Sequence, residues 1–191
     1  MQVSNTLTLL MPTVWNTEDV DACERDGAAA SGFAKYHASK TLAEKAFWDY
    51  FQSDPRAFDG VTILPTVIMG PFQQYTPEGA DPSGSAGFLK WLLSPGLPPA
   101  TNSQSVYNLV DPRDVAHGMV LALTKEKATG NRYVLSAGPH KYPDAKPNTT
   151  PEFLQSLQST AIVYDGSKIT RELGLRYRPK LETIRDTMAA F

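Results

Sequence analysis

The stretch YHASK, residues 36–40, is the most informative part of this 191-residue chain. It places a tyrosine and a lysine, Tyr36 and Lys40, four residues apart, so that on a helix both side chains lie on one face. In that position the ammonium favours ionisation of the phenol, and the phenol can act as a proton donor near neutral pH. The stretch is therefore a candidate catalytic pair, provided that it lies on a helix.

The same Tyr/Lys spacing occurs at Tyr142/Lys146 and at Tyr164/Lys168, and helical context distinguishes the three copies. Pro143 interrupts the second copy, and the turn signal Asp165-Gly166 interrupts the third. The first copy continues into a helical pattern over about residues 32–52, which ends at Asp54-Pro55. Its apolar residues recur at four-residue steps, namely Ala43, Phe47 and Phe51, with Ala46 and Tyr50 beside them.

Around this helix, short apolar runs alternate with helical patterns, which predicts an α/β fold. The predicted strands are residues 3–10, 61–64, 106–110, 132–135 and 161–164. Further helices are predicted at 112–124, 167–173 and 181–190, with short ones near 88–93 and from 150, and residues 15–32 are predicted as loop. The run VTIL, residues 61–64, does not alternate with polar residues, which is typical of a buried strand in a parallel sheet.

The helix at 112–124 has the clearest start signal in the chain. Asp111 is predicted as its N-cap, with Pro112 at the first position and Asp114 in the first turn. Its predicted apolar stripe consists of Val115, Ala116, Met119, Val120 and Leu123.

Composition limits the classes of function. The chain is 41% hydrophobic and 20% charged, which is typical of one globular domain. The net charge is -2 and no basic patch stands out, so no nucleic-acid partner is predicted. The single cysteine, Cys23, excludes an intrachain disulfide, and the three distant histidines do not suggest a metal site. No run approaches the roughly 20 apolar residues of a membrane span, so a cytoplasmic protein without membrane contact is expected.

Three segments together resemble a known family. They are residues 36–46, YHASKTLAEKA; residues 64–71, LPTVIMGP; and residues 110–116, VDPRDVA. Their order and spacing are similar to those of extended short-chain dehydrogenases/reductases, in the branch of dihydroflavonol reductases and fungal ketone or aldehyde reductases. The resemblance extends from about Trp15 to the closing part of the chain.

The resemblance implies a role for each matching residue. Tyr36 would donate a proton to a substrate carbonyl, and Lys40 would assist it and bind the nicotinamide ribose. The main chain at residues 65–67, which are Pro65, Thr66 and Val67, would meet the nicotinamide end of NADP(H). The family also uses a serine, for which Ser4 is the best match, although Asn5 is an alternative. The implied function is NADPH-dependent reduction of a small ketone or aldehyde.

The family's glycine-rich, pyrophosphate-binding turn is the main departure. Such a turn follows a strand and precedes a helix. Gly79, Gly84 and Gly87 lie instead in a proline-containing stretch after no clear strand, and are interpreted as loop. Because a βαβ unit takes about 30 residues or more, the residues before the strand at 61 are too few for the first strands of the family fold.

The expected architecture is therefore one truncated domain over 1–191. It would comprise the C-terminal part of a Rossmann-type parallel sheet with a small substrate lobe, roughly at 71–109 and 137–191. Such a sheet would expose an edge through which the chain could self-associate. Two alternatives to a working reductase stay open. One is a non-catalytic remnant that acts as a binding or interaction module, and the other is a regulatory relative that senses the cofactor.

Overall fold

The structure is a computed structural model, and it describes residues 8–10, 15–54, 58–71, 84, 87, 106–141 and 162–190. Within these ranges the elements are β1 (Thr8–Leu10), α1 (Thr17–Asp26), α2 (Gly32–Ser53), β2 (Val61–Pro65), β3 (Val67–Ile68), β4 (Val106–Val110), α3 (Pro112–Thr124), β5 (Asn131–Leu135), β6 (Pro139–Lys141), β7 (Ile162–Tyr164), α4 (Ser167–Leu173) and α5 (Lys180–Met188). Short 3-10 turns lie at Gly27–Ala29 and Glu126–Ala128. The short helices predicted near 88–93 and from 150 lie outside the described residues.

The strands pair mainly in parallel, which confirms the predicted α/β class. β2 pairs with β5 over its whole length, from Val61 opposite Asn131 to Pro65 opposite Leu135. β3 is parallel to β4, β4 is antiparallel to β6, and β1 is parallel to β7. Parallel neighbours need a crossover of a dozen or more residues, and the chain between β2 and β5 includes α3.

The hydrophobic core lies between β5, α3 and α4. Tyr133 and Leu135 of β5 pack there with Ile169 of α4, and all three are fully buried. Gly118 of α3 allows the close approach, because a Cβ at this position would lie 3.0 Å from Leu135 Cδ2 and 3.3 Å from Ile169 Cδ1. The described core is thus built from residues far apart in the sequence.

Helix α3 starts and ends as predicted, but its buried face is different. Asp111 accepts a hydrogen bond from the backbone N–H of Arg113, and Pro112 occupies the first turn. The predicted apolar stripe is wrong except at Val115, because Met119, Val120, Leu123 and Ala116 are exposed. The side that is buried instead consists of Asp114, Val115, Gly118 and Ala122.

Two buried carboxylates connect α3 to the C-terminal part of the chain. Asp111 accepts a 2.8 Å hydrogen bond from Thr183 Oγ1 on α5, and its two oxygens accept from Arg113 Nε and Nη2 at 2.9 and 2.7 Å. Asp114 accepts from the backbone N–H of Arg178 at 2.8 Å and pairs with the Arg178 guanidinium. Both carboxylates therefore have the partners that burial of a charge requires.

The loop predicted over residues 15–32 is wrong, because most of it forms α1. Asn16 caps this helix by accepting a hydrogen bond from the Asp19 N–H at 3.1 Å, and Glu18 and Asp19 lie in its first turn. An Asn cap followed by acidic residues is a standard helix start. The segment was predicted as loop because it is polar, although its sequence contains this N-cap signal.

Helix α2 has the predicted bounds within one residue and is the scaffold of the candidate site. Ser31 caps it by accepting from the Ala34 N–H. Phe47 and Phe51 are partly buried as expected, and a Cβ on Gly60 would lie 2.8 Å from Phe47 Cζ and 2.9 Å from Phe51 Cδ2. The other members of the predicted apolar face, Ala43, Ala46 and Tyr50, are exposed, and the buried residues of α2 are Ala34, Ala38 and Thr41.

Candidate active site

Tyr36 and Lys40 lie on successive turns of α2, as the four-residue spacing requires. The Lys40 ammonium nitrogen is 5.6 Å from the centre of the Tyr36 ring, within cation–π distance. Tyr36 is 58% exposed and Lys40 is exposed as well. A phenol and an ammonium thus stand side by side on an accessible helix surface, and both can donate hydrogen bonds to a ligand.

Aromatic rings of the first turns of α2 lie next to Tyr36. The His37 ring lies 5.7 Å from the Tyr36 ring in an edge-on arrangement, and Phe33, 80% exposed, lies 6.3 Å from His37. His37 Nδ1 is 2.9 Å from Asp19 Oδ2 on α1. His37 therefore has a structural role in joining α1 to α2 beside the candidate pair.

The third Tyr/Lys copy does not form a comparable pair. Tyr164 ends β7, and Lys168 lies in α4 after the Asp165-Gly166 turn, so the two do not share one helix face. Lys168 Nζ instead donates to Asn131 Oδ1 at 2.7 Å. It also lies 4.9 Å from the Tyr133 ring centre. The second copy, Tyr142/Lys146, lies outside the described residues.

The predicted nicotinamide contacts lie at the carboxyl end of β2. Pro65 is the last residue of β2 and is exposed, and Val67 starts β3. Thr66 between them donates to the Leu135 carbonyl oxygen through its N–H at 3.0 Å and its hydroxyl at 3.1 Å. These bonds hold the backbone at the strand end in place. Ser4 lies outside the described residues, so its role stays a prediction.

Glu44, one turn beyond Lys40, connects α2 to both strands of the β2–β5 pair. Its Oε1 accepts from Thr62 Oγ1 at 2.6 Å, and its two oxygens accept from Arg132 Nε and Nη2, both at 2.8 Å. Trp48 Nε1 adds a 3.3 Å bond from the same helix. Burial alone would raise the pKa of Glu44, but the hydrogen bonds from Arg132, Thr62 and Trp48 lower it below its usual value.

An aromatic ring covers the other side of this ion pair. The Arg132 guanidinium carbon lies 3.9 Å from the centre of the Trp15 ring, in stacking distance. Lys45 Nζ lies 5.7 Å from the same ring. Sequence reasoning missed this cluster because Trp15, Glu44 and Arg132 are far apart in the chain, and only folding brings them together.

The described residues form neither a cluster of metal ligands nor a membrane-spanning helix. Among them, no three His, Cys, Asp or Glu side chains are grouped closely enough to hold a metal ion. No helix of the described ranges has the length and hydropathy needed to cross a bilayer.

The relatives of the chain are named as oxidoreductases or reductases, although no family model matches the chain. A ketoreductase of Aspergillus fumigatus is 28% identical over an alignment that covers 91% of this chain and 55% of the relative. The bifunctional dihydroflavonol 4-reductase/flavanone 4-reductase of Pyrus communis is 28% identical over 183 residues, covering 87% of this chain and 47% of the relative.

The similarity extends to solved structures. Gre2 of Candida albicans, solved in complex with NADPH, matches with a TM-score of 0.68 and 26% identity, over 87% of this chain and 53% of Gre2. The chain therefore spans about half the length of the proteins that it matches.

The parallel strands, the helices that pack on them and the structural match define part of a Rossmann-type α/β domain. The chain is similar to extended short-chain dehydrogenases/reductases, in the group that contains ketoreductases and dihydroflavonol reductases.

Proposed function

We propose that this chain takes part in the NADPH-dependent reduction of a small ketone or aldehyde in the cytoplasm. The observation that carries the proposal is the Tyr36/Lys40 pair, which is exposed, adjacent and fixed on a capped helix. The names of the relatives support the reaction class, since they include ketoreductases, and the similar Gre2 structure contains NADPH.

In the proposed reaction, the two side chains have separate roles. Tyr36 donates a proton to the carbonyl oxygen as negative charge develops there, which is general acid catalysis. Lys40 places a positive charge beside the phenol and stabilises the phenolate left after the transfer. NADPH, when bound, supplies the hydride that the carbonyl carbon receives.

The donors on α2 fit the ribose end of the cofactor. The Tyr36 hydroxyl and the Lys40 ammonium are accessible and can donate to ribose hydroxyls. The backbone at Pro65, Thr66 and Val67 is held in place by hydrogen bonding to Leu135 and by pairing with β4. A fixed backbone of this kind suits the binding of a planar nicotinamide ring. The sequence contains no G-x-G-x-x-G stretch of the kind that binds the cofactor's pyrophosphate, so we expect weak binding of the cofactor by this chain alone.

A titration with NADPH tests the proposal. We expect NADPH at millimolar concentration to raise the melting temperature and to quench tryptophan fluorescence. At ten times its Kd, a ligand stabilises the folded state by about 1.4 kcal/mol, or roughly 3–6 °C for a chain of this size. The Lys40→Met variant should lose most of this shift, whereas Lys35→Met, which removes another exposed lysine of the same helix, should keep it.

The alternative is a non-catalytic binding or interaction module. It is favoured by the absence of a G-x-G-x-x-G stretch from this sequence. If NADPH at millimolar concentration changes neither fluorescence nor melting temperature, the reductase proposal is wrong for this chain and the alternative is preferred.

A further inference from the structure

Tyr36, Lys40 and Glu44 form a row along α2, each four residues from the next. Residues at this spacing follow one side of a helix, with a drift of about 40° per step at 3.6 residues per turn. Tyr36 and Lys40 are exposed, whereas the side chain of Glu44 is only 11% exposed and is bound to the strands below it. The row thus runs from an accessible end to an anchored end.

We propose that Glu44 is a positioning residue, which sets the rotation of α2 and so aims the Tyr36/Lys40 pair relative to the carboxyl end of β2. This inference rests on the proposed reductase function. The contacts that support it are the bonds of Glu44 to Thr62 on β2 and to Arg132 on β5.

Near the Tyr36/Lys40 pair, the apolar contacts of α2 constrain its rotation less than an ion pair can, since the larger Phe47 and Phe51 pack against Gly60 further along the helix. The buried residues of the helix are small, namely Ala34, Ala38 and Thr41, and small side chains leave shallow ridges for packing. A carboxylate bound by both Arg132 nitrogens has a fixed direction, because the two parallel hydrogen bonds define a plane. The hydrogen bond from the Thr62 hydroxyl connects Glu44 to β2 as well as to β5.

A small rotation of α2, which the bonds of Glu44 prevent, would displace the Tyr36 and Lys40 side chains. Side-chain atoms lie roughly 6 Å from a helix axis, so a rotation of about 20° would move them by about 2 Å. Displacements of about 1 Å can lower a rate by on the order of 100-fold when the reacting groups must be aligned. Thr62 lies three residues before Pro65 on the same strand, about 10 Å along it, so the anchor and the proposed cofactor contacts share one rigid element.

The test compares Glu44→Ala and Glu44→Gln with Asp49→Ala, a matched loss of an exposed carboxylate from the same helix. All variants are assayed well below their melting temperatures with NADPH and a carbonyl substrate. We expect kcat to fall at least 10-fold in Glu44→Ala while KM for the carbonyl changes less than 3-fold. Glu44→Gln, which keeps an oxygen for Thr62, should recover part of kcat, and Asp49→Ala should match the unchanged chain.

A second readout does not depend on turnover. The ring resonances of Tyr36, assigned by their loss in Tyr36→Phe, should shift in Glu44→Ala and stay in place in Asp49→Ala. If the unchanged chain reduces no carbonyl, the proposed function fails, and a Tyr36 shift still supports the anchor. Unchanged Tyr36 resonances in Glu44→Ala, or an unchanged kcat in an active chain, would overturn the inference about Glu44.

Discussion

Replacing Tyr36 with phenylalanine should lower kcat for carbonyl reduction by a factor on the order of 100 to 10,000, the usual contribution of a general acid. The change removes one hydroxyl and keeps the ring beside Lys40 and His37. Because the Tyr36 side chain is largely exposed, we expect the free energy of unfolding to change by less than about 0.5 kcal/mol. The measurement is steady-state NADPH oxidation with and without the carbonyl, together with a melting curve.

Tyr50 provides a matched control for this experiment. It lies on the same helix, is also 58% exposed, and its ring stacks on Phe58 at 6.0 Å. Tyr50→Phe should therefore leave both kcat and stability almost unchanged. Carbonyl-dependent NADPH oxidation that persists at the original rate in Tyr36→Phe would show that another group donates the proton.

Replacing Asp111 with alanine should give the largest loss of stability among the single changes considered for the described residues. The change removes the N-cap of α3 and leaves the buried hydroxyl of Thr183 without its acceptor. Since Arg113 is about one third exposed, water screens its pairing, and most of the cost comes from the cap and the buried hydroxyl. We expect a loss of about 3 kcal/mol, or a melting temperature lower by roughly 6–12 °C.

Ser31→Ala is the control for the capping contribution, because Ser31 caps α2 from an exposed position. It should cost only about 1 kcal/mol. If Asp111→Ala lowers the free energy of unfolding no more than Ser31→Ala does in urea at neutral pH, the buried bond to Thr183 contributes nothing, and its proposed stabilising role is wrong.

The effect of Asp111 should also depend on pH. Burial alone would raise the pKa of Asp111, but the hydrogen bonds from Arg113 and Thr183 lower it below its usual value. A carboxyl with a depressed folded-state pKa contributes its full stability above the unfolded pKa, about 3.9, and loses it as the pH falls through the folded value. The stability difference between the unchanged chain and Asp111→Ala should therefore be constant from pH 7 to about 5 and shrink below about 4.

The features predicted correctly from the sequence are those with local causes. The start of α3 follows from an Asp cap and a proline at the first position, and the end of α4 follows from Gly174, whose φ is 82°. The bounds of α2 and the placement of Tyr36 and Lys40 side by side on it also depend only on neighbours along the helix. Such short-range chemistry can be read from a single chain.

The features that sequence reasoning missed depend on contacts between distant residues. The buried side of α3 contains Asp114 because Arg178 pairs with it, and Gly118 because β5 and α4 approach closely there. Neither partner can be identified from the periodicity of the helix, which favoured the exposed Met119 and Leu123 instead. Likewise, the Glu44–Arg132 pair joins residues 88 positions apart.

The central claim is that the chain reduces a carbonyl with Tyr36 as proton donor, and deuterium transfer tests it most directly. The chain is incubated with a small ketone and NADPH that carries two deuterium atoms at C4 of the nicotinamide, and the alcohol is analysed by mass spectrometry. The account predicts one deuterium on the alcohol carbon, and a product yield at least 100-fold lower in Tyr36→Phe. Absence of the alcohol, alcohol without deuterium, or an equal yield from Tyr36→Phe would contradict it.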